Sequence, residues 1–241
     1  MPKTRFLILC EARTGSNWLC GLLQSHPQIL CHHEVFHAHE QFYAAGFRDG
    51  RLSGLGTLAE RDADPSGFLE RLWREDYGCD AVGFKLLAGQ APAVREQLLG
   101  DKNIKKVLLR RRSRVRAYLS LLRAQETGCW SHTSYGGLRV TIDPQRLLEF
   151  CAKYGEFYNS LLISLDSQEN CEIDYEDLLA GPADLERLLE YLSVSSCARE
   201  LQPFNARQSN DSLREAILNY EELCLALRGT ELEVEMQEDE G

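Results

Sequence analysis

The 241-residue chain lacks any apolar run near the roughly 18 residues that a membrane span needs. Its early apolar run, Phe6 to Cys10, is too short for a signal-peptide core. Positive charge is also in deficit. Lys and Arg number 27 against 37 Asp and Glu, a formal net charge of −10, which argues against general nucleic-acid binding. A local basic pocket for a small anion remains compatible with that total. There is no CxxC pair: the nine cysteines are odd in number and scattered, as expected of reduced thiols in a cytoplasmic protein. GxxxxGK[ST] is absent, which counts against an ATPase or a kinase of the usual kind. A phosphatase loop built on Cys10 fails too, because Ser16 stands where an Arg is needed. No spacing of His, Cys, Asp and Glu demands a metal. What is present, 44% hydrophobic and 27% charged residues, is an ordinary soluble balance.

Strands and helices alternate. Phe6–Cys10, Ile29–Cys31, Ala81–Leu86, Lys106–Leu109 and Cys171–Tyr175 read as strands. Helices are expected from Ser16 to about His26 and over Pro92–Leu99, Arg114–Glu126, Pro144–Leu165, Ala183–Leu192 and Ser212–Leu227. Residues 37–78, broken by glycines, are expected to form loops and short helices. The pattern predicts an α/β fold, a parallel β-sheet flanked by helices. No repeat or linker divides the chain, so residues 1–229 read as one domain. The last twelve, Thr230–Gly241, hold six acids and no base and are expected to be a solvated, disordered tail.

Two stretches carry chemistry. After the first strand comes Glu11-Ala12-Arg13-Thr14-Gly15-Ser16-Asn17-Trp18. A helix start offers free N–H groups and partial positive charge, a ready seat for phosphate or sulfate. Gly15 permits close approach, Thr14, Ser16 and Asn17 add donors, and Arg13 adds a planar cation. An ordinary capped strand-to-helix turn is the competing reading. The second stretch is Leu108 to Ser120, where Arg110, Arg111 and Arg112 leave a strand end and Ser120 follows Arg112 by eight residues. Ligands of open parallel sheets bind beyond the strands' carboxyl ends, so these arginines suit a polyanion. A solvated basic face is the alternative.

Together and in this order the two stretches resemble the sulfotransferases that use 3′-phosphoadenosine 5′-phosphosulfate (PAPS). The resemblance implies a P-loop-NTPase-like fold, with Arg13, Thr14, Gly15, Ser16, Asn17 and Trp18 at the 5′-phosphosulfate and Arg112 and Ser120 at the 3′-phosphate. Trp18 matches a position where relatives stack adenine, or is a core residue. Tyr175-Glu176-Asp177-Leu178 resembles a segment of the family taken as mostly structural. The bacterial carbohydrate branch, acting on nodulation factors and trehalose, offers further matches: His26-Pro27 with His33-Glu34, Gly83-Phe84-Lys85, Thr127-Gly128-Cys129-Trp130, and Arg207-Gln208, which would close over the nucleotide. Ser113 departs from the Asp common there, and Glu40–Tyr77 offers no match, which leaves the acceptor open.

The implied reaction is in-line transfer of the sulfuryl group of PAPS to a hydroxyl, with PAP as product and no metal. Glu34 is the expected base and His33 its rival. Lys85 either reaches the sulfate or acceptor, or closes the strand end. A small-molecule or glycan acceptor, no nucleic acid and no stable membrane insertion are the expected partners, with self-association left open. The alternatives are a non-catalytic nucleotide-binding module of the same fold and a small-molecule or nucleoside kinase.

Overall fold

The apolar run near the N-terminus becomes the central strand of a parallel sheet. The computed structural model describes residues 2–44, 55–130, 135, 137–196, 198, 200–203 and 211–237. In chain order it has β1 (Thr4–Cys10), α1 (Ser16–Gln24), β2 (Ile29–His32), α2 (Leu58–Ala63), α3 (Pro65–Arg74), β3 (Ala81–Leu87), α4 (Arg95–Gly100), β4 (Ile104–Arg110), α5 (Arg114–Thr127), α6 (Pro144–Ser164), β5 (Asn170–Asp174), α7 (Tyr175–Ala180), α8 (Ala183–Tyr191), α9 (Leu213–Ala216), α10 (Tyr220–Ala226) and α11 (Glu233–Gln237). The sheet order is β2-β3-β1-β4-β5, and every neighbouring pair is parallel. This is the expected α/β fold, a parallel β-sheet flanked by helices.

Side-chain alternation along β1 splits the core into two layers. Leu7 and Leu9 pack with α3, α4 and α6, whereas Phe6, Ile8 and Cys10 pack with α1 and α8. The chain leaving β1 therefore turns to one face, and the chains leaving β3 and β4 turn to the other. Such divergence opens a crevice on each side of the β1 carboxyl end. Two α6 tyrosines secure that end. Tyr158 Oη accepts from the Glu11 amide at 3.2 Å and donates to the Leu109 carbonyl at 2.5 Å, bridging the ends of β1 and β4. One turn earlier, Tyr154 Oη accepts from the Arg111 amide at 2.8 Å.

Two expectations need correction. The helix read over Ser212–Leu227 is broken between α9 and α10. Ile217 pairs with Val140 instead, and the Asn219 side chain bonds both backbone groups of Ile142. The acidic tail is docked rather than solvated up to Gln237. Leu232 and Met236 are buried against Val115, Tyr118 and Leu119, and Tyr220 Oη donates to the Met236 carbonyl. Glu235 accepts from the Val115 amide at 2.9 Å, Ser113 Oγ at 3.2 Å and Arg114 Nε at 3.1 Å, so it caps α5. The missing bases lie elsewhere in the chain, on the arginine-rich start of α5. Glu235→Ala is expected to cost about 1–2 kcal/mol, read as a lower thermal midpoint. The exposed Glu231→Ala should change stability by less than about 0.5 kcal/mol. Equal midpoints for Glu235→Ala and wild type would exclude the capping role.

Candidate active site

The loop after β1 leads into a helix start that no side chain caps. Arg13 and Gly15 both take left-handed backbone angles, φ 66° and 84°. The ring of Tyr175 packs so closely on Gly15 that an added Cβ would lie 2.2 Å from it, so glycine is required there. Gly15 is the N-cap of the nine-residue α1, with no side-chain cap and no acid in the first turn. The start of α5 is the opposite case. Its entry amides at Arg112 and Ser113 bond Glu176, and Glu235 holds Val115. Of the two helix starts that the sequence offers, carboxylates already fill one. Cys10, directly under the loop, is fully buried, and burial pushes its thiol up to about 12. It is a neutral structural thiol.

In the crevice between β1 and β4 the two sequence motifs meet. Arg13 donates from Nε and Nη2 to Ser120 Oγ at 3.1 and 3.0 Å, from Nη1 to the Trp130 carbonyl at 2.8 Å, and from Nη2 to Tyr135 Oη at 2.6 Å. These oxygens hold its guanidinium in place. Arg111, which the sequence reading did not single out, donates from Nη1 to the Arg13 carbonyl at 3.1 Å and lies over the Tyr175 ring at 5.4 Å. Its Nε is buried without a hydrogen-bond partner. Arg112 reaches α7. It is half exposed, with Nη1 2.7 Å from both oxygens of Asp177 and 3.4 Å from Asp174. Trp18 sits edge-on to Tyr175 at 5.9 Å and packs on the core beneath α1. Arg207 and Gln208 lie outside the described residues.

Lys85 organises the crevice between β1 and β3. Gly83, two residues earlier, passes where a Cβ would meet the Phe6 carbonyl at 2.5 Å. Lys85 is 2% exposed, and its Nζ lies 2.9 Å from Glu34 Oε1, 2.6 Å from Asn17 Oδ1 and 3.4 Å from Ser16 Oγ. One buried cation thus joins the candidate base to the anion loop. Gln90 Nε2 donates to the other Glu34 oxygen at 2.8 Å. Burial alone would raise the Glu34 carboxyl. Lys85, Gln90 and His37 outweigh it and hold the group below its usual value, so it is ionised near neutral pH. His33, the rival base, has Nδ1 3.2 Å from Asn17 Oδ1. His32 is buried, and burial with the neighbouring His33 lowers it to about 3. Among the described residues no group of three or more His, Cys, Asp and Glu could hold a metal ion, and no helix is long and apolar enough to cross a membrane.

No family model matches the chain. It is 24% identical over 233 residues to nodulation protein H of Rhizobium meliloti strain 1021, covering 92% of this chain and 91% of that one. It is also 24% identical over 229 residues to nodulation protein H of Rhizobium tropici, covering 90% and 87%. Solved structures similar to it include a sulfotransferase from Alicyclobacillus acidocaldarius, with TM-score 0.49, 16% identity and 94% of each chain covered. Another is a retinol dehydratase in complex with retinol and PAP, with TM-score 0.47, 14% identity and 96% and 83% covered. The likeness to nodulation protein H runs along nearly the whole chain and thus takes in both stretches that resemble the sulfotransferases.

Proposed function

We propose that the enzyme moves the sulfuryl group of PAPS onto a hydroxyl of a carbohydrate or glycolipid by in-line transfer. The observation that carries this reading is the Lys85 junction, in which a buried ammonium contacts Glu34, Asn17 and Ser16 together. The donor's phosphosulfate would sit at the open start of α1, with Arg13 and Lys85 facing the charge that builds on the leaving phosphate. The acceptor hydroxyl gives its proton to Glu34 as its oxygen bonds the sulfur. The sulfur–oxygen bond to the phosphate breaks, and PAP leaves. Positioning and electrostatics supply the catalysis, as in phosphoryl transfer. Incubation with PAPS labelled in the sulfate and a panel of oligosaccharides and glycolipids should yield a labelled glycan. Label that stays on PAPS across the panel would reject the reading in favour of a binding module. Stabilisation by ATP but not by PAP in a thermal shift would favour a kinase.

The 3′-phosphate is assigned to Arg112 and Ser120, and each must exchange a present partner to reach it. Arg112 leaves Asp177, a half-exposed ion pair of small net worth, and Ser120 releases Arg13. Arg112→Ala is expected to weaken PAP binding about tenfold, and Ser120→Ala by less. Calorimetric titration with PAP checks this, and wild-type affinity in the Arg112 variant removes the assignment.

A further inference from the structure

The turn after β3 has an unusual backbone. Gly89 has φ 75°, and Ala91, a buried non-glycine, has φ 52°. Gln90 lies between these two left-handed residues. An L-residue held in that region points to a local requirement that outweighs its own preference. Gln90 supplies the requirement. Its Oε1 accepts from the Leu87 amide at 3.1 Å, and its own amide donates to the Leu87 carbonyl at 3.2 Å. With the carbonyl end of the side chain fixed on Leu87, the NH2 end faces Glu34 Oε2 at 2.8 Å. Arg95 Nη1 also donates to the Leu87 carbonyl, at 3.2 Å, which anchors the turn from α4.

We propose that Gln90 is a positioning residue that fixes the plane and the charge of the Glu34 carboxylate for proton removal from the acceptor. The inference rests on the reading of Glu34 as base. Each carboxylate oxygen has one donor, Lys85 on Oε1 and Gln90 on Oε2, so rotation about the last side-chain bond is blocked. The carboxylate faces Lys85 of β3, Gln90 of the following turn, His37 of its own loop and Arg13 of the loop after β1. Gln90 carries no charge, and it sets direction where Lys85 and Arg13 set field.

The test uses Gln90→Met and Gln90→Glu. Gln90→Met removes both side-chain hydrogen bonds at similar volume. It is expected to lower kcat about tenfold or more while the donor KM stays put. With a donor to the ionised form lost, Glu34 becomes easier to protonate, so the acidic limb of kcat moves to higher pH. Gln90→Glu has the same shape and can donate only when protonated. Its activity should therefore recover at acid pH and fall as pH rises and the second carboxylate ionises. Carboxyl 13C titration of Glu34 reads the clamp without turnover, and the midpoint should move up in Gln90→Met. An unmoved midpoint with wild-type kcat in both variants overturns the proposal. If wild type transfers no sulfate, the proposed reaction fails by itself, and the titration still decides whether Gln90 governs Glu34.

Discussion

Changing Glu34 to Gln is expected to cut sulfate transfer about 10²-fold or more while PAP binding stays close to wild type. The substitution keeps size and removes the proton acceptor. The amide oxygen can still accept from Lys85, but its NH2 then faces the NH2 of Gln90, donor against donor. Of the groups assigned to the donor, Ser16 and Asn17 bond Lys85 and Arg13 bonds Ser120, and these contacts remain. Steady-state kinetics with labelled PAPS, beside calorimetry with PAP, separates the two effects. The pH profile adds an independent check. A base acts when deprotonated, so activity is lost as pH falls through its pKa. Glu34 is held below its usual 4.5, so wild-type kcat/KM should stay level down to about that pH. An acidic limb in the ordinary imidazole range would transfer the role from the carboxylate to a histidine, with His33 the candidate. Unchanged turnover in Glu34→Gln would reject the carboxylate base outright.

The strands were legible because a buried parallel strand announces itself as an unbroken apolar run, and all five lie where Phe6, Ile29, Ala81, Val107 and Ile173 indicate. The turn into α1 was legible because a glycine and hydroxyl residues mark a helix start. What escaped depends on partners distant in sequence. Nothing local marks Ile217 as a break, because Val140 recruits it. The tail seemed solvated because its acids have no bases nearby, whereas their partner Arg114 lies more than a hundred residues earlier. The family resemblance pointed to Arg112 and Ser120 and gave no sign of Arg111, which donates to the Arg13 carbonyl while Arg112 pairs with Asp177 of α7. Gln90 gave no signal because its role requires the two left-handed neighbours that aim it.

Replacing Lys85 by Met should combine the largest loss of stability with a loss of turnover at least as large as that of Glu34→Gln. Lys85 is 2% exposed and pairs with a carboxylate that is 18% exposed. Removing one member of a buried pair leaves the other desolvated and uncompensated, which costs about 3–5 kcal/mol. Denaturant unfolding reads that cost. It should shrink at acid pH: the pair's contribution is present while Glu34 is ionised and is lost as pH falls through its depressed pKa. Turnover falls for two reasons, since the ammonium facing the donor is gone and Asn17 and Glu34 lose their common anchor. The double variant Lys85→Met with Glu34→Gln distinguishes a coupled pair from two separate residues. A neutral Gln needs no counter-charge, so the double variant should be more stable than Lys85→Met alone, with a coupling of about 1 kcal/mol or more. Strict additivity in both stability and rate would mean that Lys85 closes the strand end and does nothing for Glu34, and the junction that supports the proposed reaction would then be two independent contacts.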